Sequence, residues 1–130
     1  MGDTAEITRE VAEGDLAAFA AVTGDNNPIH LDEAWAATTP FGGRIAHGML
    51  SAGYISAVIG AKLPGPGAIY VSQTLRFRRP VRIGDVVVTR VEITAIDLAR
   101  ARVTLATECR VAGKSVVDGH AEILAPRKGV

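Results

Sequence analysis

Cysteine is almost absent from this 130-residue sequence, because Cys109 is the only one. A single cysteine excludes an intramolecular disulfide and a metal site built from several thiolates. We expect Cys109 to be a free thiol in a buried strand. The start of the sequence has no basic segment followed by an apolar run, so it does not predict a signal peptide. A cytoplasmic location is the resulting expectation.

Net charge and aromatic residues are also scarce. Fourteen basic and fourteen acidic residues balance, which removes the electrostatic argument for binding nucleic acid or an anionic membrane. The longest central stretch without a charge, residues 45–61, contains a histidine, two serines and three glycines and is a poor membrane span. Only 5% of the residues are aromatic against 48% hydrophobic. Aliphatic side chains must therefore fill the core of what we expect to be one domain, residues 1–130.

The pattern of apolar and turn-forming residues predicts helices in the first half of the chain and strands in the second half. Gly24 is expected to cap the first helix in a left-handed conformation, and Asp32 to be the N-cap of a short helix. The expected strands are 5–11, 68–77, 86–96, 101–111 and 115–124, and the expected helices are 15–23, 33–38 and a fully buried 47–61. The residues from 125 onward are expected to fray. This order predicts an α+β domain with an antiparallel sheet packed against helices, and its open sheet edges favour a dimer.

The segment GDNNPIH, residues 24–30, contains the first group of residues suited to catalysis. Asp25 and His30 flank a turn fixed by Pro28. On such a loop a carboxylate and an imidazole can point at one position and activate a water molecule. The alternative is structural: Asp25 would accept backbone hydrogen bonds in the turn, and His30 would cap the next helix. For an isolated pair of this kind the structural alternative is the commoner one.

The segment IAHGM, residues 45–49, is the second such group and stands at the start of the apolar helix. Unpaired N–H groups there, with Gly48 allowing close approach, could receive an oxyanion such as a thioester enolate. The alternative is that Gly48 only eases helix packing and that His47 is a cap or a buried, hydrogen-bonded residue. This segment alone favours neither interpretation.

Together, DNNPIH at 25–30 and AHGML at 46–50 resemble the MaoC-like, or hydratase 2, family. The surrounding sequence is similar, over nearly the whole chain, to the short single-domain R-specific enoyl-CoA hydratases associated with polyhydroxyalkanoate synthesis. The resemblance implies a hot-dog fold, in which an antiparallel β-sheet wraps around a long buried central helix and an overhanging segment carries the catalytic residues. It also implies a homodimer with active sites near the subunit interface.

The resemblance further implies hydration of a trans-2-enoyl-CoA to an (R)-3-hydroxyacyl-CoA. Asp25 and His30 would bind and activate the water molecule, without an assignment of which acts first. The implied oxyanion and substrate-binding residues are Gly48, Asn27, Ser56 and His47. Among them the Gly48 N–H would polarise the thioester carbonyl, and Asn27 would shape the loop. No metal or cofactor is implied, since coenzyme A enters only as part of the substrate, and short or medium acyl chains are favoured.

A basic cluster near a strand end is the last polar feature of note. Its members are Arg76, Arg78, Arg79 and Arg82. Guanidinium groups there could meet the phosphates of coenzyme A, although such a cluster is more often a solvated face. Tyr54 and Trp35 are expected to be packing residues, and His120 is expected to be structural.

Three other functions stay open at this point. An (R)-3-hydroxyacyl-carrier-protein dehydratase, in some relatives one catalytic subunit of a heterodimer, would run the same chemistry in reverse. A hot-dog thioesterase would need a carboxylate or another water-activating residue on the central helix, and residues 46–61 contain no Asp, Glu or Lys. A non-catalytic acyl-CoA-binding subunit would have no need of both Asp25 and His30.

Overall fold

In the computed structural model, which describes residues 1–125, six antiparallel strands form one sheet and four helices accompany it. In chain order the elements are β1 (Thr4–Glu10), α1 (Glu13–Thr23), α2 (Pro28–Leu31), α3 (Glu33–Ala36), α4 (Gly48–Ala61), β2 (Ile69–Gln73), β3 (Arg76–Phe77), β4 (Val86–Asp97), β5 (Arg102–Val111) and β6 (Lys114–Leu124). The sheet order is β1-β4-β5-β6-β2, with β3 also paired to β6. The α+β class is confirmed. The predicted frayed tail lies, beyond Ala125, outside the described residues, so that prediction stays untested.

Strands β4 and β5 alternate between buried positions and half-buried or exposed ones, as their sequences predict. In β5 the buried residues are Val103, Leu105, Thr107 and Cys109. A period of two places these side chains on one face of the sheet, where they join the core that contains α4. Cys109 is a free thiol with no exposed surface, as expected, and burial raises its pKa.

Helix α4 is buried along one side and exposed along the other. Its buried residues are Ser51, Tyr54, Ile55, Val58 and Ile59, a spacing that places them on a single helical face. The opposite face, which contains Met49, Gly53, Ser56, Ala57 and Gly60, is exposed in the single chain. The sequence predicted burial on every face because the exposed face consists mostly of glycine, alanine and serine. These residues are small and uncharged, so their pattern does not distinguish the exposed face from the buried one. Tyr54 is a packing residue, as predicted.

The connection between α1 and α4 differs from its prediction in detail. Gly24 ends α1 with φ 78° and donates its N–H to the Ala20 carbonyl at 2.8 Å, which confirms the predicted cap. The Asp32 carboxylate accepts the Trp35 N–H at 3.0 Å, also as predicted, but α3 ends at Ala36 instead of residue 38. The prediction for Trp35 is wrong, because its side chain is 47% exposed. The residue that α3 buries is Ala36.

The strand predicted at 68–77 is interrupted at Thr74 and Leu75. Thr74 donates its N–H to the His120 carbonyl at 2.8 Å and accepts the His120 N–H on Oγ1 at 3.0 Å. Its carbonyl oxygen lies against Gly119, where an added Cβ would stand 1.8 Å from that oxygen. The chain therefore crosses β6 at a position that only glycine can occupy. The apolar pattern of 68–77 carries no sign of this contact, since it depends on residues more than forty positions away.

None of the helices in residues 1–125 combines the length and the apolar character needed to cross a membrane.

Candidate active site

His30 lies on α2, a one-turn helix that the sequence analysis missed. Asn27 caps this helix, because its Oδ1 accepts the Ile29 N–H at 3.1 Å. Pro28 occupies the first helical position, where its missing N–H costs nothing. Asparagine followed by proline was thus a helix-start signal as well as a turn signal. The turn directs the His30 side chain inward, so that it is only 8% exposed.

The proton arrangement on His30 follows from its partner. Its Nδ1 lies 2.8 Å from the Ile45 carbonyl oxygen. A carbonyl oxygen can only accept, so Nδ1 carries the proton and the lone pair of the neutral ring is on Nε2. An imidazole held in this tautomer is suited to take a proton from a water molecule.

Asp25 is held through its main chain, which leaves its exposed carboxylate near the imidazole. Its N–H donates to Thr23 Oγ1 at 3.1 Å, and its carbonyl oxygen lies 3.0 Å from His47 Nε2. One carboxylate oxygen accepts the Asn27 N–H at 3.4 Å, which is the turn contact of the structural alternative. One donor atom each of Asp25, His30 and His47 nevertheless lie within 4.8 Å of one another. The turn contact therefore coexists with the close approach of acid and imidazole.

His47 supports the pair from behind. Its ring is 2% exposed and lies between His30 and Phe19, with ring centroids 3.9 Å and 4.5 Å away. Nε2 donates to the Asp25 carbonyl, so this ring joins the start of α4 to the loop that carries Asp25. His47 does not line the neighbouring cavity. Of the two structural roles considered for His47, a side-chain cap or a buried, hydrogen-bonded residue, the structure shows the second, because its side chain makes no cap hydrogen bond to α4. The role of Gly48 is left open by this result.

A cavity of about 380 Å³ opens beside His30, and Gly48, Ser51 and Phe77 are among the residues that line it. Gly48 is the first residue of α4, whose first N–H groups have no partner inside the helix and form its positive end. The Phe77 ring packs directly on Gly48, since an added Cβ would stand 2.7 Å from the ring. An imidazole with a free lone pair and the N-terminus of a helix thus face one largely apolar cavity.

Three of the four predicted substrate-binding residues lie outside this cavity: His47, as described above, Ser56 and Asn27. Ser56 is exposed on the other face of α4. It follows Ser51 by five residues, which corresponds to a rotation of roughly 140° around the helix axis. Ser51, which the sequence analysis did not select, is the serine that lines the cavity. Asn27 is also absent from the lining, and its contacts are those of a residue that shapes the loop.

The same three side chains, Asp25, His30 and His47, would suit a metal ion, because a carboxylate and two imidazoles within 4.8 Å offer common ligand atoms. The proton transfers that this pair can perform do not need one. The absence of a metal requirement stays a prediction.

Comparison with known proteins gives a consistent result. Residues 3–114 match the family model described as MaoC like domain. The chain is 52% identical to the 3-hydroxybutyryl-CoA dehydratase of Methylorubrum extorquens, over 98% of this chain and 82% of that protein. It is 50% identical to the (R)-specific enoyl-CoA hydratase of Rhodospirillum rubrum, over 98% and 89% of the two chains.

A solved structure and a more distant relative extend this comparison. The unliganded R-hydratase PhaJ1 of Pseudomonas aeruginosa superimposes with a TM-score of 0.93 at 56% identity, covering 98% of this chain and 83% of that one. A mitochondrial 3-hydroxyacyl-[acyl-carrier-protein] dehydratase of Arabidopsis thaliana is 36% identical over 97% of this chain and 77% of its own length.

Proposed function

This chain belongs to the MaoC-like domain family, and we propose that it catalyses the reversible, R-specific hydration of trans-2-enoyl-CoA to (R)-3-hydroxyacyl-CoA. The observation that carries the proposal is the 2.8 Å contact between His30 Nδ1 and the Ile45 carbonyl oxygen, from which the tautomer of His30 follows. Its Nδ1 proton is committed to the Ile45 carbonyl, so that Nε2 is available as a base in the cavity. The close relatives named as hydro-lyases support an enzyme of this class.

The proposed reaction moves one water molecule across a double bond. His30 Nε2 takes a proton from the water as its oxygen bonds to C3, and the Asp25 carboxylate holds the second hydrogen. The π electrons move toward the thioester oxygen, where the Gly48 N–H at the helix N-terminus stabilises the developing charge. The pair, which now holds the proton taken from the water, then delivers a proton to C2 on the same face; this restores the thioester and returns the pair to its starting state.

The direct test is an assay of the purified protein with crotonyl-CoA. The expected result is loss of the enoyl-thioester absorbance. The product should match an authentic (R)-3-hydroxyacyl-CoA. If crotonyl-CoA and longer enoyl-CoAs all remain unchanged, the hydratase proposal fails. Activity confined to thioesters on acyl carrier protein would instead favour the dehydratase alternative, for which the 36% identical plant relative is the supporting observation.

No metal or redox cofactor takes part in this proposal, because every step transfers a proton or forms a bond to the oxygen of water. Coenzyme A enters only as part of the substrate. We also propose a cytoplasmic location, which the free Cys109 thiol supports, since secreted domains more often hold their cysteines in disulfides.

Substituting Gly48 with alanine is expected to impair turnover by roughly 10²-fold, the scale on which small misplacements at a reacting centre act. The new Cβ would stand 2.7 and 2.9 Å from two ring atoms of Phe77. Phe77 is 55% exposed, so its ring can move away from the new methyl group. The melting temperature should therefore change little, while the shape of the cavity changes. The measurements are kcat/KM on crotonyl-CoA and a thermal melt. The double variant Gly48→Ala/Phe77→Ala removes the clash, and failure to regain any activity would contradict the steric explanation.

A homodimer formed through the open edge of the sheet completes the proposal. In this edge β2 exposes three large apolar side chains: Ile69, Tyr70 and Val71. Unpaired edges with exposed apolar residues favour association. Val71→Arg is therefore expected to halve the mass measured by light scattering. The same change at Val22, which is 86% exposed on α1, should leave the mass unaltered; a monomeric wild type would refute the dimer.

A further inference from the structure

The four arginines of the basic cluster differ in their surroundings. Arg78 pairs with Asp118 through its Nε. Arg82 donates Nη2 to the Phe41 carbonyl at 2.7 Å. Arg76 lines a groove together with the acidic residues Glu92, Glu108 and Asp118. Arg79 is exposed, and no residue within 1–125 forms an ion pair with it. Arg76 likewise has no ion pair among these residues, but it shares its groove with carboxylates, whereas Arg79 lies outside that groove. Arg79 is thus the member best placed to bind an anion.

Arg79 also lines the cavity that contains His30. Its N–H donates to the Val116 carbonyl at 3.3 Å, as does that of Arg78 at 2.8 Å. Pro80 follows directly and restricts the backbone. The start of the Arg79 side chain is therefore held at the wall of the cavity, while its end reaches into solvent.

The charges around the cavity are of one sign. Its lining includes Arg78 and Arg79, and none of the described residues that line it has a carboxylate. The other lining residues are mostly apolar. Such a site fits a molecule with an apolar body that enters the cavity and an anionic head that stays outside. Guanidinium groups bind phosphate with two parallel hydrogen bonds.

We propose that Arg79 binds the phosphates of the coenzyme A nucleotide at the mouth of the cavity, and so makes the enzyme prefer CoA esters to thioesters without the nucleotide. This inference rests on the proposed hydratase activity. In this proposal the acyl group occupies the cavity and the pantetheine arm leads out of it, which leaves the phosphates outside, where a long side chain on the rim can reach them. Arg79 is thereby a specificity-determining residue that does not touch the reacting atoms.

The test compares crotonyl-CoA, crotonyl-phosphopantetheine and crotonyl-pantetheine as substrates of wild type, Arg79→Ala and Arg79→Lys. Loss of a hydrogen bond to a charged group corresponds to roughly 10- to 100-fold in binding. Arg79→Ala is expected to raise KM for crotonyl-CoA by that factor with kcat nearly unchanged, and to leave the other two substrates unaffected. Arg79→Lys should restore part of the loss. Arg100→Ala removes the same charge from a turn that lines neither the cavity nor the groove and should behave as wild type.

The outcomes separate this inference from the proposed function. Hydration of all three thioesters, with equal effects of Arg79→Ala on each or no effect on any, would overturn the role of Arg79 and leave the hydratase intact. A penalty on crotonyl-phosphopantetheine as large as that on crotonyl-CoA would place the contact at the phosphate that carrier proteins also have, which overturns the preference for CoA. Hydration of none of them by wild type would end both proposals.

Discussion

Replacement of His30 by alanine is expected to lower kcat/KM for crotonyl-CoA by about 10²- to 10⁴-fold, the usual contribution of a positioned general base. The structure gives the reason. The Nδ1 proton is bound to the Ile45 carbonyl at 2.8 Å, so the lone pair on Nε2 is the group that the variant removes. The activity of Asp25→Asn should fall by a similar factor, because a neutral amide oxygen accepts the water hydrogen more weakly than a carboxylate does.

A misfolded variant would also lose activity, so the controls are chosen to exclude that. His30→Asn keeps a donor near the position of Nδ1 and can still satisfy the Ile45 carbonyl, yet it lacks a basic nitrogen. It should melt close to wild type and be as inactive as His30→Ala. His120→Ala removes an exposed histidine and should retain full activity. Turnover of Asp25→Asn and His30→Asn at the wild-type rate would revive the non-catalytic acyl-CoA-binding alternative.

Gly119→Ala is expected to destabilise the protein by about 3 kcal/mol, the upper part of the usual range for overpacking a tight site. Its Cβ would stand 1.8 Å from the Thr74 oxygen and 2.6 Å from the Thr74 carbonyl carbon. Both atoms belong to the backbone, and the two hydrogen bonds between Thr74 and His120 hold that backbone in place. Relief of the clash therefore requires separation of the edge segment from β6.

Denaturant and thermal unfolding at one fixed protein concentration measure this effect, since a dimer melts in a concentration-dependent way. For a chain of this size the midpoint should fall by about 10 °C. Gly14→Ala is the matched control, because Gly14 lies in α1 with no atom within 4 Å of an added Cβ. Gly14→Ala should leave the free energy of unfolding unchanged. Equal melting of Gly119→Ala and wild type would show that the edge segment can shift freely.

The strands of the second half were predictable because each satisfies a simple local condition. One face of β5 is buried, so its apolar residues alternate, and the predicted bounds of 101–111 differ from the observed ones by a single residue. The break at Thr74 was not predictable, since it depends on Gly119 in another strand. The short helix α2 carried a local signal, Asn27 followed by Pro28, which was interpreted as a turn alone.

The candidate site shows the same division between local and distant causes. The approach of Asp25 to His30 could be predicted from sequence because a short, proline-fixed segment joins them. The position of His47 behind them could not, since its partner is the Asp25 carbonyl, twenty-two residues earlier. The sequence of α4 contains two serines but does not indicate which of them faces the cavity. Ser56 was therefore selected, whereas the structure shows that Ser51 lines the cavity.

Two contacts that orient the site end on main-chain carbonyls: Ile45 accepts from His30, and Asp25 accepts from His47. Every amino acid has that carbonyl, so a substitution at position 45 removes no hydrogen-bond acceptor. The Ile45 side chain, meanwhile, is part of the cavity wall. Point mutations at this position can thus remodel the space for the acyl chain while the imidazole keeps its orientation. Selection can therefore change the size of the acyl chain that fits through substitutions of the Ile45 side chain. The orientation of the catalytic imidazole depends instead on the course of the backbone.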